Sequence, residues 1–293
     1  MSSRRTLDPT LDVVFKMLLT RRPESHGLLV SLLTAVLRPP SPFAKVVVRN
    51  PEIPSTEVLE RGVVLDIAAE LEDGTLLDIE MQSDKRPAFR ERALFYWARL
   101  YGAELERGEG YEKLRPVISV LFLDYRELRG QRLHSVFHVL EVHDHERFSD
   151  ALALHIIELP KIAQATAEER ADEASLLRWS RFFAATTDAE LEEIAMADPI
   201  IEEARNVLQA VSEDPMAREI ARIRRNAVVN RRLEDAALRA EGRAEALRSA
   251  IEGLCQALGL PLEEAQRATL ARSDAATLQQ IFDAIVRDRA WPS

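Results

Sequence analysis

Apolar residues recur every three or four positions from Leu11 to Leu19 and again from Leu28 to Leu37, which predicts two short helices. Asp8-Pro9-Thr10 opens the first and Pro39-Pro40 closes the second. From Lys45 the text turns to strand-like runs: Val46-Val47-Val48, then Gly62 to Glu70, then Thr75 to Gln82. Pro87 to Arg107 returns to helical spacing, with Phe89, Ala93, Tyr96, Trp97, Leu100 and Tyr101 on one side and Gly108 as the stop. Strands are expected again at Val117–Leu123, Val136–Val142 and Leu152–Leu159. This order of elements predicts an α/β fold, a mixed sheet with helices packed on it. Beyond Pro160 every apolar pattern is helical, including one long polar helix from about Pro215 to Leu254. The expected division is therefore a sheet-containing domain over residues 1–163 and an all-helical C-terminal region over 164–293.

The segment from Gly62 to Gln82 carries the clearest local geometry. Asp73-Gly74 signals a hairpin, and the loop length fixes which side chains meet. A two-residue loop would set Asp66 opposite Met81 and mix polar with apolar residues on both faces. A three-residue loop, Glu72-Asp73-Gly74 with glycine in a left-handed bulge position, pairs Leu71 with Thr75 instead. Leu65, Ile67, Ala69 and Leu71 then share a face with Met81, Ile79, Leu77 and Thr75, and Asp66 falls directly opposite Glu80. The other face gathers Asp66, Glu70, Asp78 and Glu80 beside Gln82. Like charges facing one another across a strand pair repel, and a divalent cation such as Mg²⁺ relieves that repulsion through carboxylate oxygens. The alternative is a solvated acidic face on an amphipathic hairpin.

Composition narrows the class. The 293 residues are 46% hydrophobic, sufficient for a sizeable core, and no run of eighteen apolar residues or leader-like N-terminus is present, so the expectation is a cytoplasmic protein with no membrane contact. Cys255 is the single cysteine, which excludes an internal disulfide or a thiolate zinc site. The net charge of −10 is unlike that of a protein that coats nucleic acid, but the acidity is uneven. Residues 1–130 carry 19 Lys and Arg against 20 Asp and Glu, and residues 131–293 carry 20 against 29, which leaves room for a basic patch in the first half.

Several segments, taken in order, resemble the Rpn family of recombination-promoting nucleases and transposases in the PD-(D/E)xK superfamily. They are Asp12-Val-Val-Phe15-Lys16, Leu65-Asp66-Ile67, Asp78-Ile-Glu80-Met-Gln82, Arg92 to Tyr101, Tyr111 to Ile118, Glu158-Leu-Pro-Lys161, and the stretch from Ser212 to Arg243. The resemblance implies a restriction-endonuclease-like sheet core and a metal-dependent DNA endonuclease using Mg²⁺, with Mn²⁺ as a substitute. It gives Asp66 and Glu80 the roles of the two acidic metal ligands. Gln82 stands where the superfamily name has lysine; glutamine here resembles the Rpn-type pattern and leaves the general base unassigned, since a neutral amide only hydrogen-bonds. Asp12 is a candidate auxiliary ligand, with Lys16 one turn later a candidate phosphate contact, although a first-turn acid and a surface lysine read equally well as structural. Arg92 is a candidate clamp on a DNA phosphate, and Tyr96, four residues on, either joins it or packs in the core.

The histidines at 134, 138, 143, 145 and 155 receive no role, because His143-Asp144-His145 lacks a third ligand in pattern. A competing reading is a nuclease fold without activity that binds DNA or builds an assembly, supported by Arg218, Arg222, Arg224, Arg225, Arg231 and Arg232 on one helical segment. Leu233, Ala236, Ala237, Ala240, Ala244 and Leu247 also recur at helical spacing, which suggests a homodimer through the C-terminal helices.

Overall fold

The computed structural model describes residues 6–49, 67–103, 105 and 108–292. Two helices, α1 (Asp12–Thr20) and α2 (Ser25–Leu37), precede β1 (Val46–Val48). The hairpin strands β2 (Ile67–Leu71) and β3 (Leu76–Gln82) are followed by α3 (Phe89–Ala103), and then by β4 (Val117–Leu123), β5 (His134–Leu140) and β6 (Arg147–Glu158). Helices α4 (Ala167–Asp172), α5 (Ala174–Ala184), α6 (Asp188–Ala195), α7 (Pro199–Glu213), α8 (Pro215–Leu258), α9 (Glu264–Arg272) and α10 (Ala275–Asp288) complete the chain. Among the described residues the sheet has six strands in the order β1-β2-β3-β4-β6-β5. Strands β3, β4 and β6 are parallel, and β1, β2 and β5 run antiparallel to their neighbours. This is the mixed α/β sheet flanked by helices that the pattern predicts.

The hairpin adopts the three-residue loop. Ile67 pairs with Ile79, Ala68 with Asp78, Ala69 with Leu77 and Glu70 with Leu76. Leu71 N–H donates to the Thr75 carbonyl at 2.9 Å, and Gly74 sits at φ +86°, a left-handed conformation in which a side chain would be strained. The period of two then sends Ile67, Ala69, Leu71, Leu77, Ile79 and Met81 into one core with α1 and α2.

That core does not stop at the sheet and the first two helices. Phe183 of α5 packs on Phe15 of α1 at 5.3 Å between ring centroids and on Phe122 of β4 at 5.4 Å, and Trp179 stacks on Phe183 at 5.6 Å. Leu208 and Val211 of α7 and Ala217 and Ala221 of α8 are buried in the same cluster. Residues 1–225 accordingly form one compact unit and residues 226–293 another. The expected boundary at 163/164 falls inside the first unit, because the helices that follow β6 supply much of the apolar cover for the sheet and loss of strand text does not mark the end of a core. In the second unit Ala244, Ile251 and Cys255 of α8 pack with Leu270 of α9 and Leu278, Ile281 and Ile285 of α10.

Candidate active site

The sheet face opposite the main core is covered by α3. Trp97 anchors that helix by donating its indole N–H to the Val117 carbonyl at 3.1 Å, and Phe89 packs with Leu121, Leu123 and Ile156 beneath it. Asp78, Glu80 and Gln82 project from β3 onto this face, beside Ser119, Leu121 and Leu123 of β4. Asp78 is 9% exposed and Glu80 3% exposed. Burial pushes the Asp78 carboxyl up to about 6. Burial and then the charge of Asp78 push Glu80 up to about 7, against smaller opposing effects from Gln82, Arg92 and Arg86.

Glu80 is not an isolated acid. Gln82 donates an amide N–H to Glu80 Oε1 at 2.7 Å, and the Tyr125 hydroxyl donates to Gln82 Oε1 at 2.9 Å. In this arrangement the amide oxygen accepts from the phenol and the amide nitrogen faces the acid. Tyr125, raised well above the usual phenol range by burial and by the charges of Glu127 and Glu80, stays a donor at any ordinary pH. Its ring meets Phe89 edge-on at 6.4 Å, and the Lys85 ammonium lies 5.9 Å from its centroid. Arg92 reaches the same place from α3: its charge acts on both Glu80 and Tyr125, and its Nη1 is buried without a hydrogen-bond partner among the described residues.

A latch holds the loop that begins after β4 and carries Tyr125. Glu158, at the end of β6, accepts from the backbone N–H groups of Glu127 at 2.6 Å and Leu128 at 3.1 Å. Its other oxygen pairs with the buried Lys161 ammonium, which also donates to the Leu128 carbonyl at 3.1 Å. The Glu158-Leu-Pro-Lys161 segment thus fixes the loop that follows β4.

The hairpin's acids have separate fates. Glu70 is held below the usual carboxylate range by Arg49 and Arg115, whose guanidinium groups lie 2.6 Å and 2.9 Å away. Asp78 and Glu80 have no such salt bridge among the described residues, so the solvated acidic face that the sequence left open describes Glu70 and not these two.

Asp66 lies outside the described residues. Asp12 does not join the site: Arg224 Nε approaches its two carboxylate oxygens at 2.9 Å and 2.8 Å, and Nη2 adds a third bond. An acid committed to a buried guanidinium is not an open ligand, so the auxiliary-ligand reading gives way to an ion pair that ties α1 to α8. Lys16 is 2% exposed, which removes it from the surface where a DNA phosphate would be met. Gln82 bonds to Glu80 and the charge of Arg92 acts on it, whereas Asp78 and Tyr125 were not singled out as site residues. Of the histidines, His143 and His145 are exposed, but His134 and His155 are buried and 3.0 Å apart through Nε2 and Nδ1. Burial, His134, His138 and Arg38 hold His155 down at about 3. Among the described residues no three His, Cys, Asp or Glu side chains gather as a metal cluster.

The model of the family described as PD-(D/E)XK nuclease family transposase matches residues 9–234, more than three quarters of the chain. The chain belongs to this family. Membership fits the restriction-endonuclease-like sheet and carries a nuclease-type hydrolase function with DNA as the substrate class. The match runs past β6 and through α4 to α7 into α8, in keeping with the helices that close the first unit. No curated protein and no solved structure matches the chain. No helix among the described residues is long and apolar enough to cross a membrane.

Proposed function

We propose that the protein is a divalent-metal-dependent endonuclease that hydrolyses DNA phosphodiester bonds, with Glu80 and Asp66 as metal ligands and Asp78 as a second buried acid beside them. One observation carries the reading: Asp78 and Glu80 are buried together on one face of β3 without a neutralising salt bridge among the described residues. Two carboxylates desolvated side by side are costly as a purely structural device. They fit a hard cation, whose preferred donors are carboxylate oxygens. The register observed from Glu70 to Ile67 is the one in which the sequence reading sets Asp66 opposite Glu80.

When bound, Mg²⁺ supplies Lewis acidity toward a phosphoryl oxygen and relieves the carboxylate repulsion. The side chains do the rest. Burial raises Glu80 to about 7, and it would be deprotonated where it held the cation. Gln82 fixes the Glu80 carboxylate, and Tyr125 fixes Gln82. Arg92 brings a guanidinium N–H without a partner among the described residues to a site where negative phosphoryl charge develops. Recombination and mobile-element DNA are the biological setting that the family suggests.

The test is a supercoiled plasmid incubated with the full chain and Mg²⁺, Mn²⁺, Ca²⁺ or EDTA. Nicked or linear product with Mg²⁺ and Mn²⁺ and none with EDTA supports the proposal. DNA binding that weakens steeply with salt, with no cleavage under any metal, supports the inactive binding-module reading instead.

A further inference from the structure

Strand β5 has a neighbour on one side only among the described residues. Glu158 N–H donates to the Leu133 carbonyl at 2.9 Å, so the alternation of an antiparallel ladder directs residues 133, 135 and 137 toward β6 and turns the backbone groups of Val136 and His138 outward. The side chains around this edge are equally unfinished. Val136, Phe137, Val139 and Leu140 are 41–43% exposed, and Val142 and Phe148 at the hairpin tip are 79% and 83% exposed. Together they present on the order of 500 Å² of apolar surface. Unpaired edges in stable proteins are usually blunted by lysine, proline or a bulge; β5 contains neither lysine nor proline, and its register shifts are confined to His138–Leu140, which leaves His134 to His138 regular. The opposite edge, β1, has only three residues.

We propose that β5 is a homodimer interface, pairing antiparallel with β5 of a second copy so that the two sheets continue as one. Charge selects this occupant. The chain carries a net charge of −10, so two copies repel over most of their surface, yet Leu133 to Leu140 contains no Asp, Glu, Lys or Arg. The run is bounded by Arg132 at one end and Glu141 at the other, both exposed. Antiparallel self-pairing brings Arg132 of each copy to the Glu141 end of the other, twice per dimer, about a two-fold axis. The apolar side chains of both copies then cover one another on the two sheet faces, and with the backbone edge they approach the roughly 800 Å² per partner of a standard interface. The inference does not rest on the nuclease reading. It differs from the helix-mediated dimer in its surface: Ala244 and Leu247 pack inside the second unit, and the exposed Leu233, Ala236, Ala237 and Ala240 are probed separately by Leu233→Glu.

Sedimentation of the full chain at increasing concentration tests it. The parent is expected to sediment as a dimer at micromolar concentration. Arg132→Glu and Glu141→Arg each raise the dissociation constant by roughly tenfold or more, and the double reversal restores dimerisation. Val136→Lys gives a monomer with unchanged circular dichroism, while Leu233→Glu leaves the mass unaltered. A parent that stays monomeric overturns the proposal, as does a dimer indifferent to all the β5 variants or one dissociated by Leu233→Glu alone.

Discussion

Gln82 and Glu80 are joined side chain to side chain on one face of β3, the amide N–H of the first donating to Oε1 of the second at 2.7 Å. Because Tyr125 holds the amide oxygen in turn, the carboxylate of Glu80 is oriented by a residue that does not touch it.

Tyr125→Phe removes that second bond and keeps the ring that packs on Phe89. The expected outcome is a loss of divalent-metal affinity of roughly 10–100-fold, the usual effect of removing an outer partner of a ligand. Isothermal titration with Mn²⁺ reads it directly. An unchanged affinity removes Tyr125 from the positioning role.

Gln82→Lys places an ammonium where the amide now lies, beside Glu80. The cation lowers the Glu80 pKa and restores the residue of the superfamily's name, so plasmid cleavage is expected to persist. Gln82→Ala loses only an orienting bond and is expected to cut more slowly, by less than either acid substitution does. Initial rates on one plasmid substrate rank the three variants.

The buried pair Asp78 and Glu80 should contribute to stability with a pH dependence opposite to that of salt-bridged acids such as Glu70. Asp78 and Glu80 are raised to about 6 and about 7 in the folded chain, so between about pH 4 and pH 7 the folded state binds protons that the unfolded state has lost. Their contribution is fully present below the unfolded values and disappears as pH rises through the folded ones. Metal-free protein should therefore lose roughly 3 kcal/mol for each acid, on the order of 6 kcal/mol for the pair, as pH rises from about 4 to about 8, with little further change above it. Glu80→Gln should flatten the slope and raise stability at pH 8. Urea melts at stepped pH measure both effects.

Asp12 and Arg224 form a buried pair between α1 and α8, within the first compact unit. Removing one partner strands the other charge, so Arg224→Ala should destabilise the fold by about 3–5 kcal/mol. Chemical denaturation checks the magnitude. Truncation after Ala163 removes Arg224 together with Trp179 and Phe183 and is expected to give insoluble protein, contrary to what the strand pattern alone suggests.

The parts that the sequence made legible are those set by local spacing. Asp73-Gly74 and the alternation on either side of it were enough to select the three-residue loop, and with it the register that puts Asp78 and Glu80 on the face away from Ile79. Gln82 was readable for the same reason, two residues from Glu80 on one strand. What escaped depends on distant contacts. Tyr125 meets Gln82 across 43 positions, and Arg224 meets Asp12 across 212, so no spacing rule announces either. Lys16 looked like a surface cation because a helix pattern alone does not say which polar residue faces the sheet; only the packing of α1 shows that it is buried. The boundary at 163 failed to anticipate Trp179 and Phe183 for a related reason: helical spacing reports an apolar face but not what the face rests on.

The central claim is that the buried acids of β3 hold the metal that cuts DNA, and the most direct measurement compares the parent with Glu80→Gln on supercoiled plasmid in Mg²⁺. The substitution keeps the side chain's shape and its place opposite Leu121 while removing the negative charge. Loss of cleavage by at least two orders of magnitude, with circular dichroism unchanged and thermal stability equal or higher, is the predicted result. Cleavage by Glu80→Gln at the parent's rate, with both reactions stopped by EDTA, would place the metal elsewhere and contradict the account.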